Sequence, residues 1–142
     1  MLRGEADDSL AAVVRRAGVK SVVLGCADGG CGSCRVVLDG ALVASCAIAL
    51  GGIAEGAAVL TAKSLGQTPA ARAATESFAV ERPTRCQMCV GALGVTASVL
   101  ARDLAAGAAR EERTDELLRD ATCMCTGRGS WRRALASVEP AK

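Results

Sequence analysis

Hydrophobic positions recur along this chain at two spacings, and the spacing changes where the structure should change. Leu10, Val13, Val14 and Ala17 fall at helical intervals behind Asp8 and Ser9, either of which can cap, and Gly18 follows. A short helix is expected from Leu10 to Ala17. Val36-Val37-Leu38 and Ala41-Leu42-Val43 are strand-length apolar runs on either side of Asp39-Gly40, a dipeptide that favours the type I′ hairpin turn. A two-residue turn pairs Leu38 with Ala41 and Val36 with Val43, and lays Cys34 opposite Ser45. Cys46 then folds back beside Cys34. Ala58–Thr61 is a further strand candidate, closing a small sheet against the helix.

Beyond Leu65–Thr68, which reads as a linker, the helical interval takes over. Thr68 is an N-cap and Pro69 a first helical residue for a helix to Glu81, with Ala71, Ala74 and Phe78 on one face and Pro83 past its end. A longer helix from about Cys89 to Ala106 carries the stripe Leu93, Ala97, Leu100 and Leu104. A third, Glu111 to Asp120, is charged except for Leu117 and Leu118. A fourth begins near Ser130, with Trp131, Leu135 and Val138 on one side, and stops before Pro140. Four short helices striped in this way predict an antiparallel bundle. The fold class is therefore α+β, with a small sheet-and-helix domain over residues 1–64 and a helical domain over 65–142.

Two domains of this size have thin cores and gain most from a metal cross-link. The only aromatic residues are Phe78 and Trp131, so the core must be built from Ala, Val and Leu. With no histidine and no tyrosine, the chain excludes His-ligated zinc, Rieske-type ligation and Ser-His-Asp catalysis. It holds no acid–base constellation, and substrate-transforming chemistry is not expected of it. No basic stripe alternates with aromatics as nucleic-acid binding would require. The arginine pairs Arg15-Arg16 and Arg132-Arg133 read as solvated faces. The longest uncharged run, Cys86–Ala101, is shorter than the ~18–20 residues that span a bilayer. The acidic start, with Glu5, Asp7 and Asp8, does not read as a signal peptide. A cytoplasmic protein is expected, and there cysteine sets bind metal more often than they form disulfides.

The eight cysteines carry the chemistry. Cys26, Cys31, Cys34 and Cys46 form a C-x4-C-x2-C run with a fourth cysteine, and Cys86, Cys89, Cys123 and Cys125 form C-x2-C and, far along, C-x-C. The first spacing is that of the plant-type [2Fe-2S] ferredoxin loop. Its glycines, at 25, 29, 30 and 32, allow positive φ and let backbone N–H groups approach sulfur. No G-K-[ST] follows, so it is not a phosphate loop. The second set sits at expected helix N-termini, where the helix dipole favours thiolate. Its rival is a four-cysteine zinc site, although ligands one residue apart crowd a single tetrahedral ion. The formal charge of +2 counts neutral thiols; two oxidised clusters, at about −2 each, would turn the total to about −2.

The order and spacing of both sets resemble the small iron–sulfur subunit of the molybdenum hydroxylases, the family of xanthine dehydrogenase, aldehyde oxidoreductase and aerobic carbon monoxide dehydrogenase. The resemblance implies a β-grasp ferredoxin-like domain followed by a four-helix domain, each with a [2Fe-2S] cluster. It also implies two partners: a molybdopterin-binding large subunit, with an FAD-binding medium subunit beside it. Electrons would pass from molybdenum through the cluster of Cys86, Cys89, Cys123 and Cys125, then through that of Cys26, Cys31, Cys34 and Cys46, towards the flavin. Departures fall outside the ligands. Arg85 replaces the family's Gln, Gln87-Met88 its Gly-Phe, Val90-Gly91-Ala92 its Thr-Pro-Gly and Met124 its Arg, while Thr126-Gly127 is kept. Only Leu2–Ala6 stands where the family has two strands, so the sheet is expected to lack its first strand.

Overall fold

The computed structural model describes residues 2–26, 28–81, 87–121 and 123–142. Helix α1, Leu10–Arg16, starts at Ser9, whose hydroxyl accepts from the Ala12 N–H at 3.2 Å. Asp8, the other candidate cap, accepts from the Glu5 N–H instead and pairs with Arg16. Strands β1, Arg35–Leu38, and β2, Ala41–Ala44, pair in the expected register. Asp39 (φ 46°) and Gly40 (φ 86°) both take the positive φ that a type I′ turn demands.

Strand β3, Val59–Leu60, pairs antiparallel with the other edge of β1, giving the order β2-β1-β3. It is shorter than Ala58–Thr61 because both ends are used otherwise. The Ala58 N–H donates to the Asp39 carboxylate at 2.7 Å, and Thr61 caps the next helix. Leu2–Ala6 forms no strand, as expected, and Leu2 packs on the first core.

The alternation of β1 sets a core on each of its faces. Val36 packs with Leu10, Ala11, Val14 and Val22 beneath α1, while Val37 joins the core of the helical half. The sheet is therefore a shared wall between the two halves.

A short helix that was not expected ends at the start of the expected linker, sharing only Leu65 with it. Thr61 and Ser64 form a capping box that folds Ala62–Leu65 into α2, which packs against the long helix of the second half. Helix α3, Pro69–Glu81, starts as expected, with the Ala71 N–H donating to Thr68 Oγ1 at 3.2 Å. Helices α4 (Val90–Ala105), α5 (Arg110–Leu118) and α6 (Gly127–Ala136) complete the bundle. α6 begins three residues ahead of the expected Ser130, which is buried inside its first turns.

The stripe expected on α4 understates its burial. Residues 92–97 and 99–101 are all buried, because α2, α3, α5, α6 and β1 pack around it. Only small side chains permit this: a Cβ on Gly94 would lie 3.3 Å from that of Ala71 on α3. Of the arginine pairs, Arg16 is exposed and Arg132 half-buried, both ion-paired, while Arg15, also exposed, is tied to the Val22 carbonyl at 2.6 Å. Among the described residues, no helix is long and apolar enough to cross a membrane.

Candidate metal centres

The first cysteine set lies on the loop before β1 and on the turn after β2. The hairpin brings its ends together as the register requires: Ser45 donates from both N–H (3.4 Å) and hydroxyl (2.6 Å) to the Cys34 carbonyl, with Cys46 next in the chain. Cys31 and Cys34 are buried and Cys26 and Cys46 half-buried; all four are free thiols. Glycine is needed in the loop. Gly29 and Gly32 adopt φ of 78° and 73°, and a Cβ on Gly25 would meet Ser33 Oγ at 2.7 Å and Cys31 Sγ at 3.2 Å.

Ser33 lies buried at the centre of this loop. Its hydroxyl accepts from the Gly25 N–H at 2.9 Å and stands 2.9 Å from the Val23 carbonyl and 3.0 Å from Cys31 Sγ. Its own N–H donates to the same sulfur at 3.4 Å. Burial alone would raise the Cys31 thiol, but these bonds outweigh it and hold the thiol below its ordinary value. Cys46 goes the other way, pushed up to about 12 by burial, by its bond with Cys34 and by the neighbouring sulfurs of Cys34, Cys26 and Cys31. Four sulfurs that repel one another as thiolates need cations among them, which fits an iron cluster. Among the described residues, no three Cys, Asp or Glu side chains are drawn tightly enough together to hold a metal ion. Four thiolates shared by two irons stand farther apart than four around one zinc.

In the second set, Cys89 is the N-cap of α4, and Cys123 and Cys125 lie just before α6. Cys86 and Arg85 lie outside the described residues. Burial would raise the Cys123 thiol, but the hydroxyl and N–H of Thr126, the Cys125 N–H and the Cys89 side chain bond to it and lower it overall. Cys89 and Cys123 are thus brought together from two helix starts, while Cys125 is exposed. The Cys123 carbonyl accepts from the Gly127 N–H at 2.8 Å, which fixes the turn into α6.

The two loops touch. A Cβ on Gly25 would lie 2.8 Å from Met88 Cε, beside Cys89, and one on Gly32 would lie 3.1 Å from the Ala121 Cβ, two residues before Cys123. At this junction Arg35, directly after Cys34, is buried with 7 % exposure. It donates to Thr96 Oγ1 at 3.2 Å and lies 5.9 Å from the centroid of the Trp131 ring. Burial brings its guanidinium down to about 10, against the pull of Asp120 and Cys34, so it stays charged at neutral pH. Ser33 and Arg35 were not among the residues expected to act at the site. The one signal for Arg35 was its place between a cysteine and an apolar strand, and for Ser33 only its place between two cysteines of the loop.

Residues 2–61 match the Fer2 family, the 2Fe-2S iron-sulfur cluster binding domain. Aldehyde oxidoreductase of Megalodesulfovibrio gigas is 30% identical over 125 residues, 87% of this chain and 14% of that protein. A nicotinate dehydrogenase subunit of Pseudomonas putida is 36% identical over 76 residues, 54% of this chain and 48% of that one. The crystal structure of quinoline 2-oxidoreductase from Pseudomonas putida 86 superposes with a TM-score of 0.70 at 30% identity, covering 93% of this chain and 80% of the matched one. The chain belongs to the iron–sulfur subunits of the molybdenum hydroxylases. It is an electron-transfer subunit of that family, and its cofactors are two [2Fe-2S] clusters. This family subunit spans about half or less of the curated relatives it matches.

Proposed function

We propose that Cys26, Cys31, Cys34 and Cys46 hold one [2Fe-2S] cluster and that Cys86, Cys89, Cys123 and Cys125 hold the other, in domains of residues 1–64 and 65–142. Such clusters supply one-electron redox chemistry when bound. The chain's own residues bind and insulate them: Ser33 and Thr126 direct hydrogen bonds at Cys31 and Cys123, and Gly25, Gly29 and Gly32 let backbone close around the first loop. The observation that carries the relay reading is the contact of the two loops at Gly25–Met88 and Gly32–Ala121, which puts the cysteine sets side by side. Electrons would enter from the molybdopterin centre of a large subunit by way of the second set and leave from the first, towards FAD on a medium subunit. Substrate chemistry would belong to the large subunit, and the complex to the cytoplasm, where thiols stay reduced.

Anaerobic purification of the protein with whatever accompanies it, followed by assay of iron, acid-labile sulfide, molybdenum and zinc, tests this. Iron and sulfide with molybdenum on a co-purifying large chain is the expected result. Zinc without sulfide would overturn the cluster assignment. Iron and sulfide without molybdenum or a large chain would overturn the partners and leave a stand-alone carrier.

A further inference from the structure

We infer that Arg35 raises the reduction potential of the cluster at the first cysteine set, through a buried guanidinium that the helical half clamps against Gly32 in the loop of that set. The inference rests on Cys26, Cys31, Cys34 and Cys46 being that cluster's ligands. Arg35 opens β1 one residue after Cys34, yet its guanidinium reaches into the other half, to Thr96 on α4 and the Trp131 ring on α6. A Cβ on Gly32 would stand 3.0 Å from Arg35 Nε, so the glycine leaves the space that the guanidinium fills.

A purely structural role accounts poorly for a cation here. Burying a charge is costly unless it is paired, and an apolar side chain would fill the same space without that cost. Thr96 does not require the arginine, since its hydroxyl already donates to the Ala92 carbonyl at 2.8 Å. The acidic neighbour of Arg35 is Asp120, which is exposed. Water screens that carboxylate more than it screens the buried guanidinium, so the positive field at Cys34 is only partly offset. Reduction adds one electron and breaks no bond. The added negative charge is stabilised by a nearby, weakly screened cation. Because α4 and α6 hold the cation, seating of the helical half and the potential of the first cluster are linked.

The test uses the anaerobically purified full chain, titrated with dithionite and followed by EPR, with the first cluster's signal identified by its loss in Cys46→Ser. Iron and sulfide in the parent are read first; their absence would sink the ligand assignment itself and the inference with it. In Arg35→Met and Arg35→Gln, the reduced-to-oxidised ratio of the first cluster at fixed potential should fall about tenfold, a negative shift of about 59 mV for one electron. The second cluster should move less, and Arg35→Lys should stay within about threefold of the parent. Neutral variants that hold both clusters at parental potentials would overturn the inference while leaving the ligands intact. So would a Lys variant shifted as far as the neutral ones. Loss of the clusters in both neutral variants but not in Arg35→Lys would assign the charge to assembly, and would overturn it too.

Discussion

Gly32 and Ala121 meet so closely that a Cβ on the glycine would lie 3.1 Å from the Cβ of the alanine. Gly32 also has a φ of 73°, where an L side chain costs about 1–2 kcal/mol. Gly32→Ala combines that strain with a clash at the point where the two halves join. Its expected cost is about 2 kcal/mol or more, read as a lower urea midpoint of the cluster-loaded protein. Gly52 has open space around it and no positive φ, so Gly52→Ala should stay within about 0.5 kcal/mol. Matching midpoints for the two variants would mean that the halves are not locked together at Gly32.

The Ser33 hydroxyl connects Gly25, Val23 and Cys31. Ser33→Ala removes the hydroxyl that stands 3.0 Å from the Cys31 sulfur, and that can turn its proton to that sulfur instead of the Val23 carbonyl, while leaving the N–H contact in place. Hydrogen bonds to cluster sulfurs stabilise the more negative, reduced state. The first cluster's potential should fall by a few tens of millivolts, on the order of a threefold to tenfold change in the reduced fraction, with the second unchanged. A spectroscopic redox titration reads both. An unmoved first potential would show that the hydroxyl serves only Gly25 and Val23.

Cys123 is buried and bonded by Thr126, Cys125 and Cys89. Cys123→Ser should remove one of two reduced-cluster EPR signals and destabilise the helical half, because a metal site in a thin core contributes to folding directly. Chelation of iron from the parent should destabilise the same helices, seen as faster amide exchange in α4 and α6. Two intact signals in the variant would show that the second set is misassigned.

Local rules made most of this fold legible. Asp39-Gly40 set the hairpin register, Ser9 and Thr68 marked helix starts, and the register alone brought Cys46 back to Cys34. What escaped depends on contacts between distant segments. The stripe on α4 could not reveal a helix surrounded by five elements, because Ala, Gly and Thr carry little hydrophobic signal although they are what permits close packing. α2 was hidden because its capping box, Thr61 with Ser64, lacks the usual acidic partner. Arg35 lies just outside the apolar run Val36–Leu38, and its burial depends on Thr96 and Trp131, 61 and 96 residues further along the chain.

Asp103, at the end of α4, accepts from Arg113 Nε at 2.7 Å and from Arg102 Nε at 2.8 Å. Burial alone would raise its carboxyl, but the two guanidinium bonds hold it below the ordinary carboxylate range. A carboxyl depressed in the folded state contributes stability above its unfolded value of about 3.9, and loses it as pH falls through the folded value. Arg102 is half exposed, so water and salt screen its share, and the pair of bonds is worth about 1 kcal/mol. Asp103→Asn should therefore lower stability by about 1 kcal/mol at neutral pH. The deficit should be the same at about pH 5 and shrink only below about pH 4. Urea midpoints of parent and variant at each pH measure it. A deficit already gone at about pH 5 would show that Arg102 and Arg113 do not hold this carboxyl ionised.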